Sequence, residues 1–422
     1  MLRSLFSAIS GLRGHQTFMD VVGNNIANVN TTGYKASRVT FEDVLSQTTQ
    51  GGTAPDPQAQ RGGINPMQIG LGTQVASTAM TMAQGSLEAT QSPTDLAIQG
   101  NGFFILSDGQ GGRVYTRDGS FSMGLDGTLA NANGLQLLGW TPDPTTGLID
   151  PTRPLQPITI PTGDQMIGQA SSTVTFKGNL DQRIDAGAAP PANQVTTTLN
   201  LYDSLGHVHQ VTVTFTKTNN ATNSWSWSVS TTEAGVSVSG SGTIGFDGAG
   251  AYQDTNGAAP DGTITLTLSN GATSPQTINV SFGSLTQVAA NTSVDGAADG
   301  AAPGSLTNFS IGANGEVTGV YSNGLRKLLG QVALASFTNP QGLLRQGGNV
   351  FTTSPSSGDP VIGAPGSGGR GQLSSGFLEM SNVDLAQEFT NMILAERGFQ
   401  ASSRVITTSD EILQDLVNLK HP

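Results

Sequence analysis

Apolar residues recur every three or four positions at the two ends of this chain and every second position through its middle. At the start, Leu2, Leu5, Ile9, Leu12, Met19 and Ile26 follow the helical spacing, with lapses at Gln16 and Gly23. At the other end, Leu385, Met392, Phe399, Ile406 and Leu413 repeat every seven residues. The companion seam begins and ends with Phe389 and Val417 but carries Glu396, Ser403 and Asp410 between them. Sustained spacing of this kind predicts helices that pack through a coiled-coil-like seam. Neither helix is self-sufficient, because one seam is polar and Gly11, Gly14, Gly23 and Gly398 each cost about 1 kcal/mol relative to Ala within a helix. The pattern predicts a terminal helical domain, residues 1–30 plus 383–422, that finds further partners by assembly.

Residues 31–73 lose this periodicity, and the Gly- and Pro-rich stretch Gly51–Gly72 reads as a compliant connection and not as an element. A first β domain is expected over 74–147 plus 305–375, where runs such as Phe103–Leu106 alternate with turns. An inserted second β domain is expected over 148–304, its start marked by a Pro-rich stretch and its end by a Gly/Ala/Asp-rich one. Within it Val211, Val213 and Phe215, then Ile264, Leu266 and Leu268, then Ile278, Val280 and Phe282 alternate with polar neighbours. That period predicts antiparallel sheets with one wet face, in a sandwich or barrel. Asp-Gly and Asn-Gly pairs, which tolerate tight hairpin turns, all lie between residues 101 and 324. The fold expected is mainly β with helical termini, the chain going out through one β domain and returning through it.

Composition narrows the chemistry. The chain has 422 residues, a formal net charge of −12 and only 11% charged residues, so it lacks the clustered Lys and Arg that nucleic-acid binding requires. It contains no Cys, which excludes disulfides and thiolate sites. No apolar run is long enough to span a bilayer, and the first residues lack the apolar region of a signal peptide, so export without a cleaved leader is the expectation. Two G-x-G-x-x-G matches, at Gly240/Gly242/Gly245 and Gly366/Gly368/Gly371, open no helical pattern and read as chance in a glycine-rich chain. His207 and His209, with Asp203 nearby, could form a metal pair, but they read as polar residues at the mouth of a hairpin, with no metal expected. Trp225 and Trp227 read as strand core. No catalytic constellation stands out and no cofactor is expected.

The residues that carry identity lie at the termini. Leu5–Leu12, followed by Gly23–Lys35 with Asn24, Asn25, Asn28, Gly33 and Tyr34, resembles the N-terminal signature of the bacterial flagellar rod/hook axial proteins. The stretch from Ser381 through Val417, opening with Asn382 and Asp384, is similar to their C-terminal signature. Asp95–Phe104, with Gly100 and Gly102, resembles the segment that opens their first outer domain. Phe399 stands where that family more often has Tyr. The segment Asn200–Gly206, the strand after it and Trp225/Trp227 look like the middle domain of the family's hook-type members. The resemblance implies a non-enzymatic building block of the curved tube between rod and filament, polymerising with itself. Its implied neighbours are the distal rod, the hook cap and the hook–filament junction protein, with export through the flagellar type III apparatus and no insertion into membrane. The readings set against it are a distal rod-type member of the same family and a secreted β-sandwich adhesin.

Overall fold

A computed structural model describes residues 2–55, 62–144, 146–161, 163, 165–166, 168–253 and 261–418, the side chains of Leu2 and Leu416 excepted. It contains two long helices, α1 (Leu2–Ala27) and α2 (Leu385–Asn418), at the two ends of a β-rich chain. The chain forms two compact units, one of Met1–Ile160, Ser310–Thr318 and Leu328–Pro422, the other of Pro161–Phe309 and Gly319–Lys327.

In the first unit α1 and α2 pack on each other. The helical glycines that weaken each helix alone are sites of close approach. A Cβ on Gly398 would lie 2.4 Å from the His15 ring, and one on Gly14 would lie 2.9 Å from the Phe41 ring. Phe41 belongs to strand Ser37–Asp43, which pairs antiparallel with Thr73–Met80 and carries a bulge between Thr40 and Phe41. The segment 51–72 is more structured than its composition predicts: Met67–Gly70 is a strand, paired with Ser46–Gln50. Gly and Pro in this stretch mark the turns at the ends of the strand instead of precluding it. Residues 56–61, inside the expected connection, lie outside the described residues.

The β core of this unit is built from strands distant in sequence. Phe103–Ser107 pairs with Arg113–Thr116, Gln136–Trp140 and Leu334–Ser336. Leu96–Gln99 pairs with Gln372–Ser375, and Leu87–Ala89 with Phe377–Glu379. Phe103, Ile105, Tyr115, Trp140 and Phe351 meet in its core, where Phe103 and Tyr115 pack edge-on against Phe337. The Pro-rich stretch after 147 still belongs here: Gln156–Pro157 pairs with Gln136–Trp140, and Ile158 and Ile160 are fully buried. The second unit therefore starts at Pro161 and not at 148. Its far boundary also lies beyond 304, because residues 305–309 and 319–327 belong to it.

The second unit is a sandwich of two five-stranded sheets. One runs as a meander through Gln194–Tyr202, Val208–Asn219, Ser224–Ser230, Ser241–Phe246 and Tyr252–Gln253. The other orders Val236–Ser239, Gly262–Leu268, Gln276–Thr286, Thr173–Asn179 and Asp295–Ala298. Here the expectation of purely antiparallel sheets needs correction, since Thr173–Asn179 runs parallel to Gln276–Thr286. The whole meander lies between those two strands in sequence and supplies the long crossover that parallel pairing demands. The alternating apolar residues of both sheets point inward, and Trp225, Trp227, Phe176, Phe215 and Phe282 are buried together. Phe282 stacks on Phe176 at 5.4 Å between ring centres.

Truncating a fully buried aromatic ring costs about 3–5 kcal/mol. A fragment covering residues 161–327, which contains all of this unit, should therefore unfold in one cooperative urea transition. Phe282→Ala should lower its stability by about that amount, and a non-cooperative melt would show that the unit depends on the rest of the chain.

Candidate assembly site

The chain leaves α1 through an asparagine-rich turn. Asn28 N–H bonds back to the Asn24 carbonyl, and its side-chain Nδ2 donates to the same oxygen at 2.9 Å. Asn25, 1% exposed, exchanges two hydrogen bonds with the Ser37 backbone, at 2.8 and 3.0 Å. The Tyr34 hydroxyl donates to Asn24 Oδ1 at 3.0 Å, with Asn25 Oδ1 3.2 Å away. Gly33 has φ +66°, and a Cβ there would lie 2.5 Å from the Asp118 backbone nitrogen, so only glycine fits this turn.

The returning strand enters the same place. Glu379, 1% exposed, accepts from Lys35 Nζ at 2.6 Å, Arg117 Nη1 at 3.2 Å and the Gly85 backbone N–H at 3.0 Å. Its backbone carbonyl accepts from Gly33 N–H at 2.7 Å. Lys35 Nζ also donates to the Ala83 carbonyl, and Arg117 Nη2 to the Gly100 carbonyl at 2.8 Å. Asn382 uses its whole amide: Oδ1 accepts from Ala36 N–H at 2.7 Å, and Nδ2 donates to the carbonyls of Thr81 and Ala83. Arg345 donates to the Lys35 carbonyl and covers the Tyr34 ring at 4.8 Å. Two residues beyond Asn382, Asp384 caps α2, accepting from Ala386 N–H and Gln387 N–H. The strand leaving α1 and the strand entering α2 are thus fastened to one buried point.

Burial lowers the Lys35 amine from its ordinary value, opposed by the charge of Glu379. Burial likewise lowers Arg117, with Glu379 again opposing. One anion holds two desolvated cations, an arrangement in which loss of the anion leaves like charges facing each other.

The structure brings together Asn24, Asn25, Gly33, Tyr34, Gly100 and Asn382 from the quoted signatures. Asn28 serves the helix end, Asp384 caps α2, and Gly102, at φ +135°, sits against Leu334 and Ala335. Sequence reasoning did not single out Glu379, Arg117 or Arg345 as partners. A lone carboxylate within the apolar run Phe377-Leu378-Glu379-Met380 was the one available signal.

Beyond this clamp the paired helices carry two sets of apolar residues. Leu5, Leu12, Met19, Ile26, Met392, Phe399, Ile406 and Leu413 are half-buried. Ile9, Leu385, Phe389 and Val417, expected in the packing seam, are exposed, together with Phe6, Ile393, Leu394, Val405 and Ile412. A two-helix pair has one mutual face, so these residues fall outside it; Leu2 lies outside the described side chains. An open cleft of about 660 Å³ runs between α1 at Arg3, Ser7 and Ala8, the hairpin at Ile69, and α2 at Ala401 and Val405.

This arrangement, a β-rich protein whose two ends are joined beneath an incompletely covered helix pair, coincides with known families along most of the chain. Residues 5–35 match the family described as flagella basal body rod protein, and 374–419 match the C-terminal domain of the flagellar basal body rod FlgEFG proteins. Residues 97–181 match the D1 domain of the flagellar hook protein FlgE/F/G, and 179–301 match the D2 domain of the flagellar basal body protein FlaE. The chain is 42% identical to the flagellar hook protein FlgE of Borreliella burgdorferi and 38% identical to that of Treponema pallidum, covering all of both chains in each case. A crystal structure of Helicobacter pylori flagellar hook protein FlgE2 shares the fold, with TM-score 0.51 at 14% identity over 69% of this chain and all of that one. The chain belongs to the family of bacterial flagellar hook and rod axial proteins.

Replacing Glu379 by Gln should cost about 3–5 kcal/mol of stability at neutral pH, since it leaves Lys35 and Arg117 buried without an anion. The attraction that opposes the lowering of Lys35 is then lost, so the amine sheds its proton at lower pH than in the parent. Between those two values the variant gains stability with rising pH while the parent does not, and the deficit narrows. Lys35→Met keeps the Glu379–Arg117 pair and should cost less. Urea melts across neutral to alkaline pH measure both, and a pH-independent loss below about 1 kcal/mol would remove the cluster from its central role.

Proposed function

We infer that this chain is a structural subunit of the bacterial flagellar hook, assembling with copies of itself into the tube that joins rod to filament. The observation that carries this is the helix pair. It is anchored by a buried clamp yet leaves Phe6, Ile9, Phe389, Ile393, Leu394 and Val417 exposed, more contiguous apolar surface than a monomer keeps without a partner. A monomeric adhesin has no use for such termini. The match of residues 179–301 to a D2 domain, and full-length identity to hook proteins, favour a hook subunit over a rod-type one.

The neighbours proposed from this family are the distal rod, the hook cap and the hook–filament junction protein. Passage through the flagellar type III apparatus without a cleaved leader completes the proposal. Among the described residues no helix is long and apolar enough to cross a membrane. The role proposed is mechanical, with no enzymatic step.

Assembly should supply most of the helices' protection. In dilute monomer, amide exchange across residues 2–27 and 385–418 should be much faster than in the β core, and it should slow markedly in the polymer. Removing both segments should leave a soluble β-rich protein that forms no tubes. Strong protection of both helices at micromolar concentration, in material that sediments as monomer, would contradict this reading.

The hairpin Ser46–Gln50/Met67–Gly70 is exposed at every position. An isolated two-stranded hairpin is marginal in water, so we propose that it docks between neighbouring subunits and sets the compliance of the tube. Few charges on the chain means few directional ion pairs to resist sliding. Deleting Gly51–Gly63 should permit export yet give straight, brittle or absent hooks, seen by electron microscopy of sheared cells. Hooks of normal curvature on motile cells would reduce this segment to a tether.

A further inference from the structure

One cluster in the sandwich unit plays no part in assembly as read above. Asp203, fully buried, lies in the turn before strand Val208–Asn219. Its Oδ1 accepts from the backbone N–H of Leu205 and His207, at 2.9 and 2.8 Å. Its Oδ2 accepts from Asn270 Nδ2 at 2.6 Å and lies 3.1 Å from His209 Nε2. A carboxylate that receives donors on every side has only acceptor capacity left for the imidazole, so His209 donates through Nε2–H. His209, 2% exposed, is then oriented with Nδ1 toward solvent.

Nδ1 faces both oxygens of Glu233, at 3.2 and 3.1 Å. A ring lone pair and a carboxylate are both acceptors and repel, so this contact calls for a positive centre between them. A proton would satisfy Nδ1 and Glu233 alone. The exposed His207, whose ring centre lies 5.0 Å from that of His209, also turns a donor atom to the same point. One ligand atom from each of His207, His209 and Glu233 lies within 4.8 Å of the others.

We propose that His207, His209 Nδ1 and Glu233 form a binding site for a borderline transition-metal ion of the zinc class, with Asp203 as the carboxylate that orients His209. Two imidazoles and one carboxylate form a common three-ligand zinc set. A carboxylate on the far nitrogen of a ligating histidine is the usual outer-shell partner, fixing tautomer and ring orientation. Tetrahedral zinc at about 2.0–2.2 Å from each ligand would bring these atoms to roughly 3.3 Å apart. His207 and Glu233 are the two that move, because His209 is locked by burial. The fourth position opens to solvent. The ion would tie the turn at 203–207 to the loop after Ser224–Ser230, joining segments otherwise linked here through His209 alone. Spacing in the sequence placed Asp203 as the third ligand; the structure moves it behind the histidine and puts Glu233 in front.

The test uses full-length monomer freed of metal at neutral pH, with Zn²⁺ added in a calorimeter and Co²⁺ followed by its visible absorption. One equivalent of Zn²⁺ should bind with a dissociation constant below about 100 µM and raise the melting temperature, and Co²⁺ should show the intense bands of a tetrahedral site. His207→Ala and Glu233→Gln should each weaken binding about tenfold or more while leaving metal-free circular dichroism unchanged. Asp203→Asn should weaken it by about 10–100-fold through orientation; if that variant does not fold, the other two decide. Absence of saturable binding would overturn the proposal, as would equal affinity in the parent and both variants. So would a Glu233→Gln effect confined to melting at low pH, which would assign the positive centre to a proton.

Discussion

The carboxylate of Glu379 sits where the outgoing and returning ends of the chain meet, with no water to solvate it. An ion so placed persists only if its partners are fixed, and here they come from well-separated parts of the sequence: Lys35 just after α1, Arg117 from the first β layer, and Gly85 between them. The requirement is strict because desolvation of each charge costs several kcal/mol and is offset only in good geometry. All other features of the terminal region inherit this geometry. Gly33 must turn with positive φ to deliver its N–H to the Glu379 carbonyl, Asn382 must spend its amide on the strands either side, and Asp384 then stands where α2 begins.

The terminal helices and the sandwich strands were legible in the sequence because their signals are local and periodic. Leu385 to Leu413 at seven-residue spacing can scarcely be anything but a helix, and Val211, Val213 and Phe215 face one way in any strand. What was not legible depends on contacts between residues far apart. Nothing near Glu379 announces Lys35, 344 positions earlier. Nothing within Thr173–Asn179 indicates that its neighbour is the parallel strand Gln276–Thr286. Pro-rich Gln156–Pro157 looks like a boundary because proline donates no ladder hydrogen bond, yet an outer strand can still accept one. The split of the seam residues into half-buried and exposed sets was equally hidden, since spacing gives the face of a helix but not how many partners share it.

The glycines of the helices show how one residue type can cost in isolation and contribute in context. Gly14 and Gly398 lower helix propensity, but they admit the rings of Phe41 and His15 at distances no side chain would allow. The penalty is about 1 kcal/mol apiece, while a buried aromatic ring contributes more than that through area alone. Helices made this way gain stability from what they touch.

That dependence gives the buried cluster its consequence for assembly. Dispersion and apolar burial along a helix seam are weakly directional, so a seam alone tolerates rotation and sliding of one helix on another. Charge-assisted hydrogen bonds to Glu379, and the full amide of Asn382, tolerate neither. With the ends of α1 and α2 pinned by groups that accept one geometry, the exposed residues Phe6, Ile9, Phe389 and Ile393 are presented at a set position and angle to whatever covers them. The polar cluster fixes direction and the apolar surface supplies attraction. A subunit that must bond identically to many copies of itself requires both, because attraction without a fixed direction gives aggregates and not tubes.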